Sequence, residues 1–183
     1  MTDWRATMEQ LVRTRERALL GYAYLVCGDP VQSQDLVQDA LVRTFSKPRP
    51  GLEIDKAEGY VRRAITTVYI DQYRRGQRWQ RVRHLFQSDE VGDDEFGPID
   101  AGAEVADALR TLPPRVRACV VLRYFDDLTV PSIAKELEIA EGTVKRYLSD
   151  GIGHLEQSLG ALDDADRAAE TVVVSSRGGR SGS

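Results

Sequence analysis

LPPRVRACVVLRYFDDLTVPSIAKELEIAEGTVKRYLSDGIGHL, residues Leu112 to Leu155, decides how this chain is read. It describes a helix followed by a helix-turn-helix. Ile133, Ala134 and Leu137 share one face of a short helix, with Thr129 as its cap and Pro131 in its first turn. After a brief turn, Val144, Tyr147 and Leu148 face back from a second helix. The small Ala134 stands where the two would cross. Thr143, Lys145, Arg146 and Ser149 are left pointing outward. An apolar back with a hydroxyl and cations near its N-terminal half is what a helix needs to lie in a DNA major groove. The bland alternative is an αα-corner with a solvated face. The whole pattern favours DNA binding.

Working outward, 183 residues suffice for one domain or two small ones, each with its own core. The net charge of −4 does not suit a simple DNA coat, but its distribution is uneven. From Tyr60 to Arg83 the cations Arg62, Arg63, Arg74, Arg75, Arg78, Arg81 and Arg83 face a single acid, Asp71. The next stretch carries Asp89, Glu90, Asp93, Asp94, Glu95, Asp100 and Glu104 without a cation. A basic block followed by an acidic spacer suits a protein that grips nucleic acid and threads a basic channel elsewhere.

Cys27 and Cys119 lie in separate apolar runs with no metal-ligand spacing, so both read as reduced core residues. Neither a metal site nor a cofactor is expected. No signal peptide and no membrane-length apolar run is visible, which points to the cytoplasm.

The rest of the chain reads as helix. Trp4, Met8, Leu11, Val12, Leu19, Tyr22 and Val26 recur at helical spacing until Gly28. Asp29 then caps a second helix with Pro30 at its first position and Leu36, Val37, Ala40, Leu41 and Phe45 on its buried face. Ser46 to Asp55 is a Pro-rich loop. Asp55 and Glu58 suggest a capping box for a third helix, with Val61, Ala64, Ile65 and Val68 on its core side. Gln87 to Gly102 reads as an extended linker. From Gly160 the periodicity fades, and residues 161–183 are expected to be a disordered tail. TVVV, Thr171 to Val174, is too short and isolated for a sheet.

Two further features carry chemistry. Asp35 and Asp39 stand one turn apart on the solvent side of the second helix, beside Gln38. Like charges at that spacing cost a helix a few tenths of a kcal/mol, roughly. Taken alone, this is a solvated face; a cationic partner would relieve the repulsion. In YVRRAITTVYIDQYRRGQRWQ, Tyr60 to Gln80, aromatic rings alternate with arginines. Rings there could stack on unpaired bases while guanidinium groups hold phosphates, with Tyr60 and Tyr69 given to the core.

In series, these residues resemble the extracytoplasmic-function (group IV) sigma factors of bacterial RNA polymerase, from about Leu19 to Leu159. GYAYLVCGDPVQSQDLVQDALVRTF is similar to the first conserved segments of sigma domain 2. AEGYVRRAITTVYIDQYRR resembles the segment that melts and reads the −10 element, and the opening stretch resembles domain 4, which reads −35. The resemblance implies an all-α chain: domain 2 over 1–86, a flexible acidic linker over 87–104, domain 4 over 105–160 and the tail. It implies an alternative sigma factor that binds core polymerase and directs promoter-specific initiation, with no catalytic residue and no small-molecule substrate.

By the same resemblance, Asp35, Gln38 and Asp39 would face the coiled coil of the β′ subunit. Lys47, Arg49, Arg62, Arg63, Thr67, Arg74, Arg75 and Arg78 would serve the −10 element, and the loop Ser46 to Asp55 would hold a flipped base. Thr143, Lys145, Arg146 and Ser149 would meet −35 DNA while domain 4 docks on the β flap. The acidic linker would run through the active-site cleft. An anti-sigma factor is an expected partner.

Three residues depart from the family pattern. Thr67 stands where Asn is common, which leaves the −10 base preference open. Glu138 replaces a frequent Gly in the turn; a Glu at positive φ costs about 1 kcal/mol, so another turn geometry is expected. Ala140 sits where Ser or Thr would cap the recognition helix, a loss of roughly 1 kcal/mol that phosphate contact at the helix N-terminus would partly replace. The rival readings are a single-component helix-turn-helix regulator, a recombinase-like DNA enzyme and a pure interaction protein. The first lacks a ligand domain, the second a placed nucleophile, and the arginine block speaks against the third.

Overall fold

The computed structural model describes residues 4–46, 51–83 and 103–177, with side chains described to residue 77 in the third helix and to 160 in the last. Seven helices follow one another: α1 (Trp4–Cys27), α2 (Pro30–Phe45), α3 (Ile54–Arg83), α4 (Ala103–Arg110), α5 (Pro114–Tyr124), α6 (Val130–Leu137) and α7 (Glu141–Arg177). No strand occurs among the described residues.

Local chemistry sets most of the boundaries. Gly28 adopts φ +74° and its N–H returns to the Tyr24 carbonyl, which closes α1. The Asp29 side chain then accepts from the Gln32 N–H at 2.7 Å, and Pro30 opens α2. Thr129 caps α6 through the Ser132 N–H, with Pro131 in its first turn.

Four expectations need correction. α3 begins at Ile54, where the Glu53 carbonyl takes the first bond from Ala57, so Asp55 and Glu58 do not form a capping box. Their carboxylates go to Arg15 instead, at 3.7 and 3.5 Å. Glu138 does adopt the left-handed conformation, φ 52° and ψ 49°. The Ile139 N–H bonds back to the Ala134 carbonyl at 3.0 Å, so this Schellman-type closure of α6 offsets the strain. The tail expected from residue 161 is helical through Arg177, TVVV included. Helix extension adds one hydrogen bond per residue once nucleated, and the Ala-rich, Pro-free sequence there does not interrupt it. Residues 178–183 lie outside the described residues.

The fourth correction concerns the two halves. α1, α2 and α3 pack on one another around Leu11, Leu19, Val26, Leu36, Val61 and Ile65, all fully buried. α4 to α7 close around Leu109, Leu122, Ile133 and Val144. These are the two helical domains that the sequence describes. Rather than standing apart, they share one continuous core, with α1 against α4 and α5, and α3 against α5 and α6. The linker reading, 87–104, falls mostly on residues 87–102, outside the described residues, and its last two positions, Ala103 and Glu104, already belong to α4.

Candidate polymerase and nucleic-acid interfaces

The buried arc of α2 turns Asp35, Gln38 and Asp39 outward, and all three are exposed. Asp39 accepts from Gln72 Nε2 of α3 at 3.2 Å. The same face carries Val42, 71% exposed, and Val31, 56% exposed. The acidic stripe is therefore bracketed by apolar side chains. The sequence reading passed over Val42, although its place off the Leu36–Val37–Ala40 arc was the available signal.

α3 holds its arginines in unequal states. Arg62 lies over the Tyr22 ring at 5.1 Å and pairs with Glu58 at 3.6 Å and with Asp126 at 3.6 Å. Arg63 donates to the Gly59 carbonyl at 3.2 Å and covers the exposed Tyr60 ring at 5.0 Å. That exposure corrects the assignment of Tyr60 to the core; Tyr69 is buried as expected. Thr67 turns its hydroxyl to the Ala64 carbonyl. Arg74 donates to the Leu137 carbonyl, one of the open acceptors at the end of α6, and pairs with Glu138 at 3.7 Å. Arg75 is exposed. Lys47 and Arg49 lie outside the described residues, as does the Arg78 side chain. A cleft of about 550 Å³ between α2–α3 and α6 is lined by Arg43, Tyr60, Arg63, Thr67, Arg74 and Lys135, among others.

In α7, Val144 is fully buried against the core. Lys145, Arg146 and Ser149 are exposed and Thr143 is half-buried. Arg146 lies over the Tyr147 ring at 5.4 Å, which orients its guanidinium along the helix surface. With Ala140 at the start, no side chain caps the helix; its carbonyl accepts from Thr143 and Val144 at 2.9 and 3.1 Å.

A polar cluster joins the domains, and the sequence reading missed it. The Tyr22 hydroxyl donates to Asp126 Oδ2 at 2.6 Å and lies 2.9 Å from the Thr66 hydroxyl. Burial, and then Asp126, push the Tyr22 phenol well above its ordinary range. Burial also raises the Asp126 carboxyl, although the Tyr22 bond and Arg62 pull against it. Nearby, buried Arg117 donates to the carbonyls of Val26 at 3.3 Å, Arg110 at 3.0 Å and Leu112 at 3.1 Å. It thereby ties the ends of α1 and α4 together, and burial lowers its pKa. Arg117 had a signal, a cation inside the apolar run VRACVV. Tyr22 and Asp126 had none, being 104 positions apart.

The layout defines a helical two-domain protein with an exposed acidic stripe, an arginine-bearing helix and a helix-turn-helix in that order. The family model for sigma-70 region 2 matches residues 11–80, and that for sigma-70 region 4 matches residues 102–155. The chain is 33% identical over 171 residues to the RNA polymerase sigma-E factor of Streptomyces coelicolor, covering 88% of this chain and 91% of the relative. It is 30% identical over 164 residues to the ECF RNA polymerase sigma factor SigL of Mycobacterium tuberculosis, covering 86% and 91%. A solved structure of the sigma factor RpoE in complex with the anti-sigma factor NepR, from Bartonella quintana, has the same fold. It matches with a TM-score of 0.55 at 22% identity over 83% of this chain and 96% of that one. The chain belongs to the extracytoplasmic-function sigma factors of the sigma-70 family. It is an alternative sigma factor, a transcription initiation factor that works with core RNA polymerase at promoter DNA.

Proposed function

We propose a division of labour among the residues of this sigma factor. The α2 stripe of Asp35, Gln38 and Asp39, with Val42 beside it, docks on the β′ coiled coil. Lys47, Arg49, Arg62, Arg63, Thr67, Arg74, Arg75 and Arg78 hold and read the −10 element. Thr143, Lys145, Arg146 and Ser149 enter the major groove at −35 while domain 4 sits on the β flap. The acidic stretch 87–104 is the connection that spans the polymerase cleft between 1–86 and 105–160. The polymerase performs the chemistry; this chain supplies position and charge and has no catalytic residue of its own.

The observation that carries the reading is the recognition helix. Val144 anchors it in the core while Lys145, Arg146 and Ser149 stand clear of the fold. Good bidentate contacts to bases are worth about 1–3 kcal/mol of discrimination each. The complex of RpoE with NepR makes an anti-sigma protein the expected regulator here too. No helix among the described residues is long and apolar enough to cross a membrane, which fits work beside cytoplasmic polymerase.

The test is transcription from a randomised promoter library by core enzyme with the purified chain. The expected result is a bipartite −35 and −10 preference. Asp35→Arg with Asp39→Arg should abolish initiation and co-purification with core enzyme. Lys145→Ala with Arg146→Ala should flatten the −35 preference alone. Retention of that preference in the second variant would place −35 reading elsewhere.

A further inference from the structure

The first turn of α1 holds the loop between α2 and α3 at both of its feet. Where α2 ends, the buried Phe45 ring stacks on Trp4, with centroids 6.4 Å apart and planes 18° from parallel. Where the chain comes back towards α3, the Thr7 hydroxyl donates to the Leu52 carbonyl at 3.2 Å, across 45 positions of sequence. Leu52 is itself held in the core, and Gly51 before it takes φ +73°. An added Cβ at Gly51 would meet nothing within 4 Å, so the backbone turn and not a lack of space calls for glycine there. Trp4 and Thr7 are separated by a rise of about 4.5 Å, so both feet rest on one turn of the helix. Arg15, roughly two turns further on, adds ion pairs to Asp55 and Glu58 at 3.7 and 3.5 Å.

We infer that Thr7 and Trp4 are positioning residues for −10 reading: by pinning Leu52 and Phe45 they set where the loop 46–55 stands against the promoter strand. The inference rests on the assignment of that loop to the flipped base. Neither residue touches the base; each acts through the loop. Both lie ahead of residue 11, where the match to sigma-70 region 2 begins.

The chemistry of Thr7 favours this role over simple packing. Thr7 sits on the buried arc of α1 with Leu11 and Leu19, only 3% exposed. Valine would fill the same space, and a buried hydroxyl costs free energy unless it is hydrogen-bonded. The bond to Leu52 offsets that cost and fastens a loop carbonyl to a helix at the same time. A loop holds its residues less precisely than a helix does, and a reading group must be kept within about 0.5 Å of its working place. Fastening the loop to α1 lends it the rigidity of the helix. Trp4 holds the other foot by ring area, with the Arg5 guanidinium 5.4 Å over its own ring. Thr7 is the directional anchor of the two, because a hydrogen bond weakens steeply as its angle departs from linear.

The test is transcription by core enzyme with the full chain from promoters randomised across the −10 element, scored position by position. Thr7→Val keeps the shape of the side chain and removes the bond. It should lower base preference at the one position the loop reads by about three- to tenfold, the scale of a single lost hydrogen bond. The other −10 positions and the −35 element should stay as in the parent. Thr7→Ser keeps the hydroxyl and should keep the preference. Trp4→Leu releases the other foot and should weaken preference at the same position. Ala23→Gly, which weakens α1 towards its other end, should lower the melting temperature and change preference nowhere. Circular dichroism verifies that each variant is folded. Unchanged preference in either Thr7→Val or Trp4→Leu overturns the inference. So does a loss that Thr7→Ser shares, that spreads evenly over the promoter, or that Ala23→Gly reproduces. Lys47→Ala plus Arg49→Ala, run beside them, shows where a failure lies: if it too leaves −10 preference intact, the loop does not read the base; if it alone alters preference, the loop reads and α1 does not position it.

Discussion

Gly151 offers a sharp test of how the recognition helix is seated. It is buried in α7 where that helix crosses α5. A Cβ there would stand 2.7 Å from Val120 Cγ2 and 3.0 Å from Val116 Cγ1. Two residues on, a Cβ at Gly153 would meet nothing within 4 Å. Both positions are helical, so Ala gains about 0.8–1.0 kcal/mol of propensity at either one. At Gly153 nothing opposes that gain. At Gly151 the neighbour is a β-branched side chain 2% exposed, flanked by Cys119 and Val121 at 0%, with no room to turn aside. Overpacking a tight core typically costs about 1–3 kcal/mol. Gly153→Ala should therefore stabilise the protein by about 1 kcal/mol, and Gly151→Ala should destabilise it by about the same amount. For a chain of this size each shifts Tm by about 2–4 °C, in opposite directions. Thermal and urea unfolding followed by circular dichroism read both. Because α7 must tilt to admit the methyl group, Gly151→Ala should also weaken −35 duplex binding while Gly153→Ala does not. If the two variants are equally stabilised, the close crossing of α5 and α7 is wrong, and with it the seating of the recognition helix.

The remaining predictions are shorter. Burial pushes the Cys119 thiol up to about 12, so iodoacetamide at pH 8 should leave it unmodified until urea opens domain 4; labelling of the folded chain, read by mass spectrometry, would contradict that burial. The folded Asp126 carboxyl lies above its ordinary value, chiefly through burial. Its contribution is therefore present at low pH and lost as pH rises through the folded pKa. The stability of the parent relative to Asp126→Asn, from urea titrations, should accordingly grow as pH falls from 7 towards the carboxylate range; a difference that shrinks on acidification refutes the assignment. Arg146→Ala should cost about 1–3 kcal/mol in −35 binding if Arg146 makes a base contact, relaxing preference at one position. A uniform loss across sequences with a smaller salt slope would instead make it a phosphate contact. Limited proteolysis should cut within 87–102 in the free chain and spare that segment once core enzyme is bound; protection in the free chain would count against its role as the connection across the cleft.

Much was legible in the sequence because it is encoded locally. Helical periodicity marked every long helix, and Gly28, Asp29, Pro30, Thr129 and Pro131 set boundaries with side chains that act within a few residues. The outward set Thr143, Lys145, Arg146 and Ser149 and the stripe Asp35, Gln38 and Asp39 followed from which face of each helix was apolar; the structure leaves all of them exposed except Thr143, which is half-buried. Where local signals were weak, the reading slipped, most widely over residues 161–177, read as a disordered tail and found helical. Asp55 and Glu58 looked like a capping box until Arg15 supplied a partner from another helix. Glu138 looked incompatible with its turn until the closure of α6 and the Arg74 pair were in view. What no local pattern could carry is the relation between the domains. Tyr22 finds Asp126 across 104 positions, Arg74 finds Leu137 across 63, and Arg117 finds Val26 across 91. Each group has ordinary alternatives on its own helix or in water, and only the packing of α1 and α3 against α5 and α6 brings the partners together. The sequence by itself determined the helices, the order of the three surfaces and the family. The tertiary structure alone decided which of the arginines stand open to solvent and which are already held by carboxylates, because burial and pairing belong to the assembled surface rather than to any one segment.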